Sequence, residues 1–179
     1  MSQVPGYVDK SRKRVSNDFK AYFLRINYAS PFVFGLIGPG ITPPTVSHNN
    51  TEETLHDSDM GVDTTSVTSK SLNIPLEGQV TDQRETNADP VNEWIVDIVD
   101  TYKKNVETIV IECFIHKPVE DNPGYYRANR WNAIVNASEG TGGNPLAFTG
   151  SISSTSDPEI GYVSFTDGVP TFVTELPES

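Results

Sequence analysis

The chain has 179 residues, with 24 Asp plus Glu against 13 Lys plus Arg, a formal charge of −11, and 36% hydrophobic residues. That length suits one domain with a core of its own, and the single cysteine, Cys113, forbids an intrachain disulfide. The longest apolar run, Phe32 to Ile37, is six residues with Gly35 inside it, against the roughly 20 that a membrane-crossing helix needs, so a soluble protein is expected.

The chain opens on a basic stretch, Lys10, Arg12, Lys13 and Arg14, with no apolar segment behind it. A secretory signal would need one, so residues 1–16 read as a basic flexible arm. With Lys20, Arg25, Asp9 and Asp18 counted, residues 1–30 carry +4 and leave −15 for the rest. Most of that surface repels a polyanion.

From Asn17 to Tyr28, Phe19, Ala21 and Phe23 alternate with Tyr22, Leu24, Ile26 and Tyr28, the pattern of a strand that buries parts of both faces or of one whose register changes midway. After a short apolar patch, Gly38 to Pro44 cannot be regular structure. Residues 42–63 are polar and acidic without a clear period, and are expected to form a long acidic loop. Within it, His56 to Asp63 spaces His and carboxylates alternately, but glycine comes too early for a calcium loop and the closing Glu is missing. No metal or other cofactor is expected, and His48 in the same stretch has no ligand-like spacing.

Lys70 to Val80 regains period two, with Leu72, Ile74 and Leu76 facing one way and Ser71, Asn73 and Glu77 the other. Pro75 points to an edge or bulge, because it lacks the ladder donor. The clearest helix signal spans 89–104. Asp89 is the N-cap, Pro90 the first helical residue, and Val91, Trp94, Ile95, Ile98, Val99 and Tyr102 form one apolar packing face, with Lys103 and Lys104 complementing the C-terminal end.

Strands then return. Ile109 to Ile115 is β-branched, Tyr125 to Ala137 alternates, and Asp121-Asn122-Pro123-Gly124 joins them as a hairpin turn. Gly140 to Pro145 forms the next turn, before strands at Leu146 to Ser153, Ile160 to Phe165 and Thr171 to Val173, and residues 174–179 read as a frayed tail. The whole is expected to be one domain, 1–179, of α+β class but mainly β: an antiparallel β-sandwich or barrel-like sheet with one flanking amphipathic helix and a long loop.

Catalytic patterns are missing. There is no Gly-x-Ser-x-Gly elbow, the glycines at 140–143 lack the Lys-Ser/Thr of a phosphate loop, and Cys113 lies in an apolar strand. No enzyme is expected.

Several segments in order carry a resemblance. They are Ile37 to Ile41 (Ile-Gly-x-Gly-Ile), Asp59 to Asp63 (Asp-Met-Gly-Val-Asp), Ser71 to Gly78 (Ser-Leu-Asn-Ile-Pro-Leu-Glu-Gly), Asp89 to Ile95, Tyr126 to Asn136, Pro145 to Ile152 and the closing Gly-Tyr-Val-Ser-Phe from Gly161. From Gly35 onward the chain resembles the major tail protein, or tail tube protein, of long-tailed phages of Gram-positive hosts.

The resemblance implies a virion protein assembled in the host bacterial cytoplasm. Homohexameric rings stack into a tube that DNA traverses without sticking, and tape-measure, tail terminator and baseplate proteins are the other partners. It places Glu52, Glu53, Asp57, Asp59 and Asp63 at an inter-ring contact. Glu77 and Glu112, on the polar sides of two strands, are expected to face the lumen. The alternatives are a monomeric β-sandwich module that binds carbohydrate or a receptor through Tyr125, Tyr126 and Trp131, or another phage assembly protein such as a tail terminator.

Overall fold

The computed structural model describes residues 20–26, 33–37, 46–57, 62–79, 90–140 and 147–177. The expected basic arm, Phe19, Tyr28, Asp59, Asp89 and the turn at 141–146 lie outside them. The described residues form strands β1 (Lys20–Ile26), β2 (Val33–Leu36), β3 (Ser47–Asp57) and β4 (Val62–Gln79), helix α1 (Pro90–Asp100), then β5 (Val106–Pro118), β6 (Tyr125–Glu139), β7 (Ala147–Ser154), β8 (Glu159–Thr166) and β9 (Val169–Val173). Every pairing is antiparallel, so the mainly β, α+β expectation holds.

The strands run β2-β1-β5-β6-β7-β4-β3, and the sheet forks at β6. The C-terminal part of β6 pairs with β7 from Ala133 to Glu139, whereas its N-terminal part, Tyr125 to Arg130, pairs with β8. Strand β9 follows β8 through Asp167 and Gly168, which have φ of 49° and 83°. This is a two-residue turn whose positive φ values suit the twist of a hairpin.

The two branches enclose two cores on opposite faces. One core gathers Leu24, Leu72, Ile74, Val110, Trp131, Val135 and Ile152 beneath Val91, Trp94, Ile95 and Ile98 of the helix. The other gathers Ala21, Phe23, Ile111, Cys113, Ala128, Val163 and Phe165, and β9 returns close to β2. Strands β1 and β5 therefore bury both faces, which for β1 is the first of the two readings of its double alternation and not a change of register. Gly35 lies where Val91 presses on β2, and a methyl group there would collide with the valine side chain.

Two expectations for the helix change. Its last residue is Asp100, and Tyr102, placed by periodicity on the packing face, is 89% exposed with φ of 54°. The Lys103 N–H donates to Ile98 O and the Tyr102 N–H to Val99 O, both at 3.1 Å, a Schellman end with Tyr102 in the left-handed position. The apolar stripe thus continues in sequence past the point where the helix stops. Of the other stripe residues, Val91, Trp94, Ile95 and Ile98 are buried and Val99 is half-buried against the same core.

The largest difference is at 42–63, read as a loop: Ser47–Asp57 is a strand, hairpinned to β4 from Asp57↔Val62 down to Ser47↔Asn73. Strand β4 meets β7 only from Asn73 to Gln79. From Val62 to Leu72 its pairing is with β3 alone among the described residues, so a two-stranded ribbon leaves the sheet. At about 3.4 Å per residue the ribbon is some 30 Å long. Pro75 sits just past the last β3 pair among the described residues and pairs with Ser151 of β7 on its other side.

Candidate assembly ribbon and the carboxylate at its base

The ribbon gathers most of the acids assigned to an inter-ring contact. Glu52 is exposed and stands opposite Val67, beside the register shift at Thr51/Glu52. Glu53 stands opposite Ser66, Asp57 opposite Val62, and Asp63 opposite His56, whereas Asp59 lies outside the described residues. Asn49, Asn50, Thr51, Thr68 and Lys70 are exposed. A two-stranded hairpin is marginal in water by itself, and β3, β2 and β9 each have one strand neighbour among the described residues. Such free edges invite further strand pairing.

At its base the ribbon is tied from two sides. Along β4, the Lys70 N–H donates to Asp157 Oδ1 at 2.6 Å and the Leu72 N–H to Ser154 Oγ at 2.9 Å. On the β3 side, His48 points at Glu112 in β5, with Nε2 3.1 Å from Oε1, and its ring stands 6.1 Å from that of Trp131.

Glu112 was expected in a lumen wall, and this is a correction: it is fully buried. It shares the face of Leu24, Val110 and Trp131 through the pairs Tyr22↔Glu112 and Glu112↔Asn129, and this face looks into the helix-side core. Burying an ion costs several kcal/mol unless donors surround it. Here Lys20 Nζ donates to Oε1 at 2.9 Å, the Tyr22 hydroxyl to Oε1 at 3.3 Å and Asn129 Nδ2 to Oε2 at 3.1 Å.

Burial alone would raise the Glu112 pKa, but the Lys20 hydrogen bond, the charge of His48, the charge of Lys20 and the Asn129 hydrogen bond together hold it below the ordinary carboxylate value. The cluster pushes its neighbours the other way. Tyr22 is raised by burial, then by the Glu112 charge and the hydrogen bond to it. The Cys113 thiol is pushed up to about 12 by burial and then by Glu112. Tyr22 is therefore a protonated donor and Cys113 a neutral thiol at physiological pH, and Glu112 is an ionised acceptor with little basicity left. This chemistry suits holding strands together.

Glu77, the other expected lumen residue, is exposed on β4 opposite Thr149. Along its side of the sheet lie Asn73, Ser151, Ser153, Asn136 and Ser138, with Ser153 Oγ donating to Asn73 Oδ1 at 3.1 Å. The aromatic platform of the binding-module alternative does not form. Trp131 is 1% exposed, and Tyr126 packs in the opposite core. Among the described residues no group of three His, Cys, Asp or Glu could hold a metal ion, and no helix is long and apolar enough to cross a membrane.

Sequence reasoning missed Lys20, His48 and Asn129. A lone acid inside Ile109 to Ile115 signals that a buried partner is needed, but Lys20 lies 92 residues away and nothing local identifies it.

No protein family and no curated protein matches the chain. Among solved structures it is similar to a chain titled "Tail of empty GTA particle computed with helical refinement, C6 symmetry", at 13% identity and a TM-score of 0.45, covering 77% of this chain and 93% of that one.

Proposed function

We propose that this chain is a structural virion protein, the subunit of a phage tail tube, which self-assembles into stacked hexameric rings through which DNA leaves the capsid. It works without a catalytic centre or a cofactor. The observation that carries the reading is the β3–β4 ribbon. It runs some ten residue pairs with no third strand among the described residues, bears Glu52, Glu53, Asp57 and Asp63, and is marginal as a hairpin on its own. A neighbouring subunit supplies what it lacks.

Two further features support it. Among the described residues β2 and β3 are the end strands of the order, which favours head-to-tail pairing between copies, the type of contact that closes rings. Asn73, Glu77, Thr149 and Ser151 share one face, and a patch of hydroxyls, an amide and one acid has little hold on phosphate.

The test is negative-stain electron microscopy of the purified protein over a concentration series, with sedimentation velocity alongside. Tubes of constant diameter with a stain-filled channel, or closed rings, are expected. Particles of single-subunit mass at every concentration, even after seeding with tail material, would overturn the reading in favour of a monomeric module.

A further inference from the structure

We infer that the Glu112 carboxylate is a clasp that straps the base of the ribbon to β1 across the open side of the curled sheet, and so fixes the angle at which the ribbon leaves the body. Strands β3 and β5 are four steps apart in the strand order. In a flat sheet that would be about 19 Å at the usual strand spacing, too far for a His and a Glu to meet. They meet because the sheet curls over the helix-side core, and among the described residues β3 and β1 do not pair to close the gap.

The charged contacts across it converge on one atom. Glu112 Oε1 lies within 3.3 Å of Lys20 Nζ and the Tyr22 hydroxyl from β1 and of His48 Nε2 from β3, while Oε2 is held from β6 by Asn129. The β4 side keeps its own ties to Asp157 and Ser154. Losing the clasp therefore frees one side of the base and leaves the ribbon hinged on the other. The inference rests on the tail-tube reading only for its consequence, that a ribbon held at one angle can meet the next ring in register.

The experiment measures the angle in the dilute, monomeric full chain. Spin labels are placed at the exposed positions Asn50 and Arg127, with the buried Cys113 changed to Ser. Distances are read by pulsed electron resonance, and circular dichroism confirms the fold. A single narrow distribution is expected for the parent, and a distribution roughly twice as wide for Glu112→Gln, since a charged hydrogen-bond cluster is worth about tenfold or more in a local opening equilibrium.

His48→Ala touches a side chain that is 36% exposed and so preserves the fold if Glu112→Gln does not. It is expected to widen the distribution equally. His48→Gln, which keeps an N–H donor, is expected to restore the narrow one, whereas a role in packing against Trp131 would leave Gln no better than Ala. Distributions as narrow as the parent in both Glu112→Gln and His48→Ala, or no rescue by Gln, would overturn the clasp. Neither result bears on whether the protein forms tubes, which microscopy decides separately.

Discussion

His48 Nε2 and Glu112 Oε1 stand 3.1 Å apart although their strands are separated by three others in the sheet. This contact shows how strongly the sheet curls, and it joins the part of the molecule that is packed to the part that is not. On one side of Glu112 lies a core sealed by Trp131, Val110 and Leu24. On the other begins a ribbon whose described side chains beyond Asn49 are mostly exposed.

The same carboxylate makes stability depend on acid. Its folded pKa lies below the ordinary value of 4.5, so its contribution is complete above the unfolded-state value and is lost as pH falls from there through the folded value. Glu112→Gln is expected to cost about 1–3 kcal/mol at pH 7, with the gap to the parent narrowing below pH 4.5. Urea unfolding at pH 7 and pH 3 checks this. A gap that is constant across that range would show that the charge of Glu112 plays no part.

Which elements could be read from the chain follows from where burial falls. Leu72, Ile74 and Leu76, or Val91 to Ile98, announce themselves because one face meets a core and the other water. Strand β3 does not, because Asn49, Asn50, Thr51 and Glu52 are all exposed, and backbone pairing without burial leaves no period. The β8–β9 turn is legible in the chain, since Asp167-Gly168 is a strong hairpin signal. The Glu112 cluster is not, because its partners come from strands that only the fold brings together.

Gly35 tests how closely the helix is laid on β2. Val91 is fully buried and abuts the Gly35 backbone, so it has little room to give way. Gly35→Ala is expected to destabilise by about 1–3 kcal/mol, the usual cost of overpacking. Thermal unfolding would show it, and an unchanged midpoint would mean that the helix shifts freely on the sheet.

Tyr102 offers the reverse change. It holds φ of 54° at the Schellman position with 89% of its surface in water, so its ring packs on little and its Cβ is strained. Tyr102→Gly is expected to stabilise the monomer by about 0.5–1 kcal/mol. If chemical denaturation instead finds a loss, the ring has a contact within the chain that offsets the strain. If the monomer gains and assembly fails, the exposed tyrosine belongs to a subunit interface.

The ribbon itself gives the most direct prediction about assembly. Thr51 pairs with Ser69 just before the register shift, so replacing residues 52–68 by Asn-Gly joins two paired residues through a two-residue turn of the preferred kind. The cores, the clasp and the β4–β7 pairing all lie outside the excised stretch, and the melting temperature is expected to stay within a few degrees of the parent's because only marginal hairpin structure is removed. Rings or short oligomers are expected to persist where the β2 and β3 edges suffice, but stacking into long tubes should be lost. Electron micrographs with tubes as long as the parent's would remove the ribbon, and with it Glu52, Glu53, Asp57 and Asp63, from the stacking contact.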